Sequence, residues 1–129
     1  MFEKPQVLAV ASALAAHAST RQSAIAQNVA NADTPGYRAI DAGDFAQTFR
    51  ATSAAGLRQT RAGHVGLDMA PPAVPFSARS GTGHLSPNGN SVSLETEMVK
   101  AAEVRREHDM ALAIYRKSLD ILRASLGRR

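Results

Sequence analysis

The chain has 129 residues, room for one domain of ordinary size, and of its 57 hydrophobic positions (44%) 25 are alanine and only 32 are larger, so its core is expected to be thin. A formal charge of +4 and a pI of about 10.1 are too small an excess to define a nucleic-acid surface. The absence of cysteine excludes disulfides, thiol catalysis and cysteine metal sites, and no run of about 20 apolar residues is present to span a bilayer as a helix.

Val7 to Asn31 contains neither proline nor glycine and predicts a long first helix. Its large apolar residues, Val7, Leu8, Val10, Leu14, Ile25 and Val29, are spaced by Ala, Ser, Thr, Gln and Asn, and Arg21 is its only charged residue. A helix without a charged face is expected to be surrounded by other helices, including those of other subunits. Met1 to Ala18 also reads as a secretory leader, with Lys4, an apolar run and an Ala16-His17-Ala18 cleavage pattern. Against cleavage, the helical pattern continues through that point to Ile25 and Val29, so the segment is expected to be retained. The isolated subunit is expected to be only partly ordered, with the first helix short of partners.

The next stretch is Asn28-Val29-Ala30-Asn31-Ala32-Asp33-Thr34-Pro35-Gly36-Tyr37-Arg38. Pro35 presets the second position of a β-turn and Gly36 supplies the positive φ of the third in a type II turn, so Thr34 to Tyr37 is predicted to reverse the chain. Asn28 and Asn31 are expected to bind the carbonyls that the helix end leaves unpaired, with Asn31 tolerating a left-handed stop. These residues specify a helix end, not a catalytic site.

Between Gly56 and Gly89 lie four of the six prolines and six of the nine glycines, which marks an irregular, poorly helical insert with room for short strands. Asn88-Gly89 reads as a turn. The organisation is therefore mainly α, in one structural domain: an N-terminal helical segment at 1–33, the turn motif and insert at 34–90, and a C-terminal helical segment at 91–129.

From Leu94, steps of four and three residues reach Met98, Ala101, Arg105, His108, Leu112, Tyr115, Leu119, Leu122 and Leu126. That 3.5-residue period predicts a coiled-coil seam on a second long helix. Ser93 stands at the N-cap, Glu95 and Glu97 in the first turn, and Gly127 at the C′ position. Arg105 and His108 interrupt the seam. They are expected either to fix register by meeting Gln22, Gln27 or Asn28 of the first helix, or to drift toward solvent as an unsupercoiled helix turns.

The Asn-x-x-Asn helix end followed by Thr-Pro-Gly-Tyr and a basic residue resembles the flagellar rod and hook family, matched by Asn28, Asn31, Thr34, Pro35, Gly36, Tyr37 and Arg38. Leu57-Arg58-Gln59-Thr60 with His64, and Gly89-Asn90-Ser91-Val92-Ser93-Leu94-Glu95 with Glu97 and Met98, narrow the resemblance to the small members of the proximal rod. Ser93 departs from the acidic residue expected there. The resemblance implies a non-enzymatic subunit of the bacterial basal-body rod in the periplasm. Its terminal helices would pack with other rod subunits and copies of itself, with the membrane-ring junction at one end. It also implies transport by the flagellar type III apparatus without a cleaved signal, and a match of Phe45 and Phe49 to a Phe-x-x-x-hydrophobic export-gate motif; the plain alternative is a helical pair packed in the core.

Other chemistry finds little support. His17, His64, His84 and His108 show no metal-ligand spacing, no Gly-x-Ser-x-Gly elbow or phosphate loop occurs, and Gly81-Thr82-Gly83 lacks the context of a nucleotide loop. No cofactor, metal or nucleic acid is expected. A small periplasmic helical adaptor with a cleaved signal peptide is the remaining alternative.

Overall fold

The computed structural model describes residues 6–54, 76–78 and 85–127. Helix α1 (Gln6–Ala30) leads through a turn to strand β1 (Ile40–Ala42) and helix α2 (Phe45–Ala54); strand β2 (Phe76–Ala78) follows, and helix α3 (Leu94–Ser125) ends the order. The two long terminal helices are as the sequence predicts. The expected insert falls largely on residues outside those described, as do Leu57-Arg58-Gln59-Thr60, His64 and Gly81 to His84.

α1 and α3 pack side by side in opposite directions, because the end of α1 meets the start of α3: Asn28 bonds Glu97, and further back Arg21 reaches Glu107. Buried positions recur every seven residues on both helices, Ala11, Ala18 and Ile25 on one and Glu97, Val104 and Ala111 on the other. Heptad spacing of this kind belongs to side-by-side helix pairs. Alanines on α1 keep the partner close, since interaxial distance is set by the side chains at the contact. Ala18, Ile25 and Val104 form the apolar centre, with Ala101 packed against it.

The intramolecular stripe departs from the predicted seam in a regular way. Ala101 and His108 are half-buried on it, but its buried positions are Glu97, Val104 and Ala111, each one residue before Met98, Arg105 and Leu112 of the seam. One residue is about 100° of helix rotation, so Met98 turns outward and is 72% exposed. Leu94, Arg105 and Tyr115 are also exposed, while Leu112, Leu119 and Leu122 are half-buried. Arg105 has no ion-pair partner among the described residues, and the polar groups expected to meet it are elsewhere: Gln22 and Gln27 are exposed and Asn28 is turned to Glu97.

The ends of α3 follow the sequence. Ser93 is extended (φ −110°) and its Oγ accepts from the Thr96 amide at 3.5 Å, a long cap bond, while Gly127 has φ +75°. The end of α1 does not follow it. Asn31 is not left-handed, since every positive φ among the described residues belongs to glycine. The helix instead tightens, with Ala32 N–H donating to Val29 O at 3.2 Å and Thr34 N–H to Asn31 O at 3.0 Å, the three-residue turns common at helix ends.

β1 and β2 form an antiparallel pair in the register Ile40 to Ala78, Asp41 to Ser77 and Ala42 to Phe76. β1 lies against α1, and its exit carries the chain to α2, where Thr48 N–H and Oγ both donate to the Asp44 carbonyl at the first turn.

The helix contact predicts an asymmetric response to volume. Ala18→Leu, at a fully buried position, should cost about 1–3 kcal/mol through overpacking, whereas Ala9→Leu on the exposed face of α1 should change stability little. Urea unfolding followed by circular dichroism compares the two.

Candidate functional site

The polar centre of the structure joins the end of α1 to the start of α3. Thr34 to Tyr37 forms the predicted turn, with Tyr37 N–H donating to Thr34 O at 3.3 Å and Gly36 at φ +71°. A second turn lies beside it, in which Gly89 (φ +79°) donates its N–H to Ser86 O at 2.8 Å. The two segments are laced together by Gly36 N–H to Asn88 O at 3.0 Å and Ser91 N–H to Tyr37 O at 3.1 Å, and by Ala39 N–H to Ser91 Oγ at 2.9 Å. A Cβ on Gly89 would sit 3.6 Å from the Gly36 Cα, so the backbones pass in van der Waals contact.

Asn90, 1% exposed, closes this double turn. Its Nδ2 donates to the carbonyls of Asn31 at 3.0 Å, Ala32 at 2.6 Å and Thr34 at 3.0 Å, and its Oδ1 accepts from Val92 N–H at 2.8 Å. A helix leaves its last carbonyls unpaired. Here a residue from the far side of the insert supplies the donor, aided locally by Asn31, whose Nδ2 donates to Gln27 O at 2.8 Å.

Asn28 is fully buried and uses its whole hydrogen-bonding capacity. Its Nδ2 donates to Ile40 O at 2.8 Å and Glu97 Oε2 at 3.0 Å, and its Oδ1 accepts from Ile40 N–H at 2.9 Å and from Tyr37 Oη at 3.5 Å. The paired bonds with Ile40 imitate a strand partner, so the amide extends the ladder of β1 on the side of α1. This corrects the expectation that Asn28 serves the helix-end carbonyls; Asn31 and Asn90 do that.

From Glu97 a chain of opposite charges crosses the molecule. Lys100 Nζ lies 3.5 Å from Glu97 Oε1 and 3.9 Å from Asp41 Oδ2, Arg21 Nε is 3.8 Å from Asp41 Oδ1, and Arg21 Nη1 is 3.0 Å from Glu107 Oε2. Three carboxylates and two cations from α1, β1 and α3 thus alternate, each charge moderating the desolvation of its neighbours. Arg21, the lone charge of α1, is directed at the partner helix. The sequence signal that could have located this chain is that lone charge, together with the carboxylate of Glu97 lying at heptad spacing from Val104.

Beyond Arg21 a recess of about 230 Å³ is lined by His17, Arg21, Asp44, Phe45 and Glu107, among others. His17, 3% exposed, donates from Nε2 to Gly43 O at 2.8 Å, and its Nδ1 is buried without a partner among the described residues. The Phe45 ring stands edge-on to it at 5.5 Å, and Phe45 and Phe49 pack at 5.6 Å across one helical turn of α2. Phe45 thus packs on His17 of α1, and Phe49 on Phe45. Among the described residues no group of three His, Asp or Glu side chains could hold a metal ion, and no helix is long and apolar enough to cross a membrane.

Asn90→Asp should be the most damaging isosteric change at this site. It aims a carboxylate at three carbonyls in place of their donor, and should cost about 2–3 kcal/mol, against about 1 kcal/mol for Asn31→Ala at the exposed end of the same turn. Urea midpoints of the two variants measure the difference.

The family model described as flagella basal body rod protein matches residues 8–38, which span α1 and the Thr-Pro-Gly-Tyr turn. The chain is 33% identical over 111 residues to the flagellar basal body rod protein FlgB of Agrobacterium fabrum, covering 81% of each chain. It is 33% identical over 102 residues to the protein of that name from Escherichia coli K12, covering 72% of each. With one third of its residues identical to these proteins over most of its length, the chain belongs to the flagellar basal body rod protein family.

Proposed function

We propose that the chain is a structural subunit of the proximal part of the bacterial flagellar basal-body rod, without enzymatic activity, built into a torque-transmitting tube through the outer faces of its terminal helices. The observation that carries this reading, beside family membership, is the set of large apolar side chains on those faces. Val7, Val10 and Val29 on α1, and Met98, Val99, Met110, Ile114 and Ile121 on α3, are each at least 38% exposed. Large apolar side chains exposed along both long helices are suited to helical neighbours. Leu94, Met98, Tyr115 and the polar pair Arg105 and His108 of the predicted seam would then meet other rod subunits or copies of the same chain.

In this reading the rod lies in the periplasm, one end meeting the membrane ring, and the subunit arrives through the flagellar type III apparatus. Phe45 and Phe49 would be the residues read at the export gate. Retention of the N-terminal segment is favoured because α1 runs unbroken through Ala16 to Ala18. Cleavage after Ala18 would remove the buried Ala11, His17 and Ala18. The adaptor with a cleaved leader is for that reason the weaker reading.

Basal bodies purified from a strain complemented with the gene test this. The subunit should be present with its first helix intact by mass. Ile114→Ser with Ile121→Ser should reduce incorporation at least tenfold while the purified variant keeps its helix content, and Phe45→Ala with Phe49→Ala should reduce secretion. Absence of the unaltered protein from the basal bodies would overturn the structural role; normal secretion of the phenylalanine variant would confine those rings to packing.

A further inference from the structure

Besides the stripe that faces α1, α3 carries a second one. Val99 and Arg106 follow the buried Glu97 and Val104 by two residues, about 200° round the helix, and so stand on the side away from α1. From Val99, steps of four, three and four residues reach Glu103, Arg106 and Met110, and the same steps from Met110 reach Ile114, Lys117 and Ile121. An 11-residue repeat stays on one face of an almost straight helix. All seven residues are exposed, the four apolar ones by 39% to 62%. Glu103, Arg106 and Lys117 have no ion-pair partner among the described residues.

The order of these residues complements its own reverse. Laid antiparallel against a second copy with Met110 facing Met110, Val99 meets Ile121 and Glu103 meets Lys117. Arg106 then lays its aliphatic stem over Ile114 and keeps its guanidinium in water. Because the contact is two-fold, every pair but the central one occurs twice. Laid parallel in register, the apolar residues match at least as well, but Glu103, Arg106 and Lys117 each face their own like charge, which is repulsive. Charge thus settles the direction that apolar contact leaves open.

We infer that this face of α3 is a self-recognition surface through which two copies of the chain pair antiparallel in solution. A two-fold pair is closed, since it covers the same patch on both subunits and leaves none for a third. A tube with one end at a membrane ring needs its subunits to point one way. The pair is therefore a form held outside the rod, with Ile114 and Ile121 covered until it dissociates. That consequence rests on the proposed function; the pairing itself does not.

Sedimentation of the full-length chain tests the pairing, and because the sequence contains no cysteine, introduced cysteines report its direction without background. The unaltered chain should sediment as monomer and dimer at concentrations up to about 1 mM. Val99→Cys mixed with Ile121→Cys should oxidise to a covalent dimer at least ten times faster than Val99→Cys alone. Glu103→Lys should weaken dimerisation at least tenfold, and adding Lys117→Glu should restore it, with helical circular dichroism unchanged in both variants. The inference is overturned if the chain stays monomeric over that range, or if Val99→Cys alone closes as fast as the mixture. It is overturned equally if the exchanged pair of charges fails to restore the dimer. Absence of the chain from basal bodies would overturn the rod reading and leave these three results as they stand.

Discussion

A buried carboxamide has two protons to donate and lone pairs to fill, and satisfying them out of reach of water demands partners at fixed places. Asn28 and Asn90 impose that demand on this chain from opposite sides of the insert. Asn28 draws β1 and the first turn of α3 against the last turn of α1 through Ile40 and Glu97. Asn90 closes over the carbonyls of Asn31, Ala32 and Thr34. Once both are satisfied, the two long helices can leave the junction only side by side.

The thin apolar contact makes this arrangement necessary. The buried apolar side chains of the described residues are mostly alanine, each of which removes little surface from water. Bonds that specify geometry therefore carry much of what a larger core would do by shape. The alternating charges from Glu97 to Glu107 extend the same logic along the interface, while Met98, Val99, Met110, Ile114 and Ile121 are exposed on α3 among outward charges that include Glu103, Arg106, Arg116 and Lys117.

What was legible in the sequence was local. Pro35 and Gly36 prescribe a turn from their own backbone preferences, Ser93 and Gly127 mark the ends of α3, and the stretches free of proline and glycine announce both helices. What was not legible depends on residues far apart. Glu97 reads as an ordinary first-turn carboxylate until Asn28, 69 residues away, is seen to hold it, and Asn90 reads as part of a turn until its bonds across 56 to 59 residues are drawn. The 3.5-residue seam read on α3 is not the stripe that α3 turns toward α1, which lies one residue earlier at alternate positions. With alanine lining α1, the inner places of α3 suit Val104 and Ala111, and Met98 is released to the surface.

The central claim is that both asparagine side chains are held, dry and fully bonded, at the junction of the terminal helices. Side-chain amide exchange by nuclear magnetic resonance on the full-length chain tests it most directly, with the exposed Asn88 as internal reference. The Nδ2 protons of Asn28 and Asn90 should exchange at least a hundredfold more slowly than those of Asn88, and show through-space contacts to Ile40 and Thr34 respectively. Exchange at the rate of Asn88, without those contacts, would contradict the account.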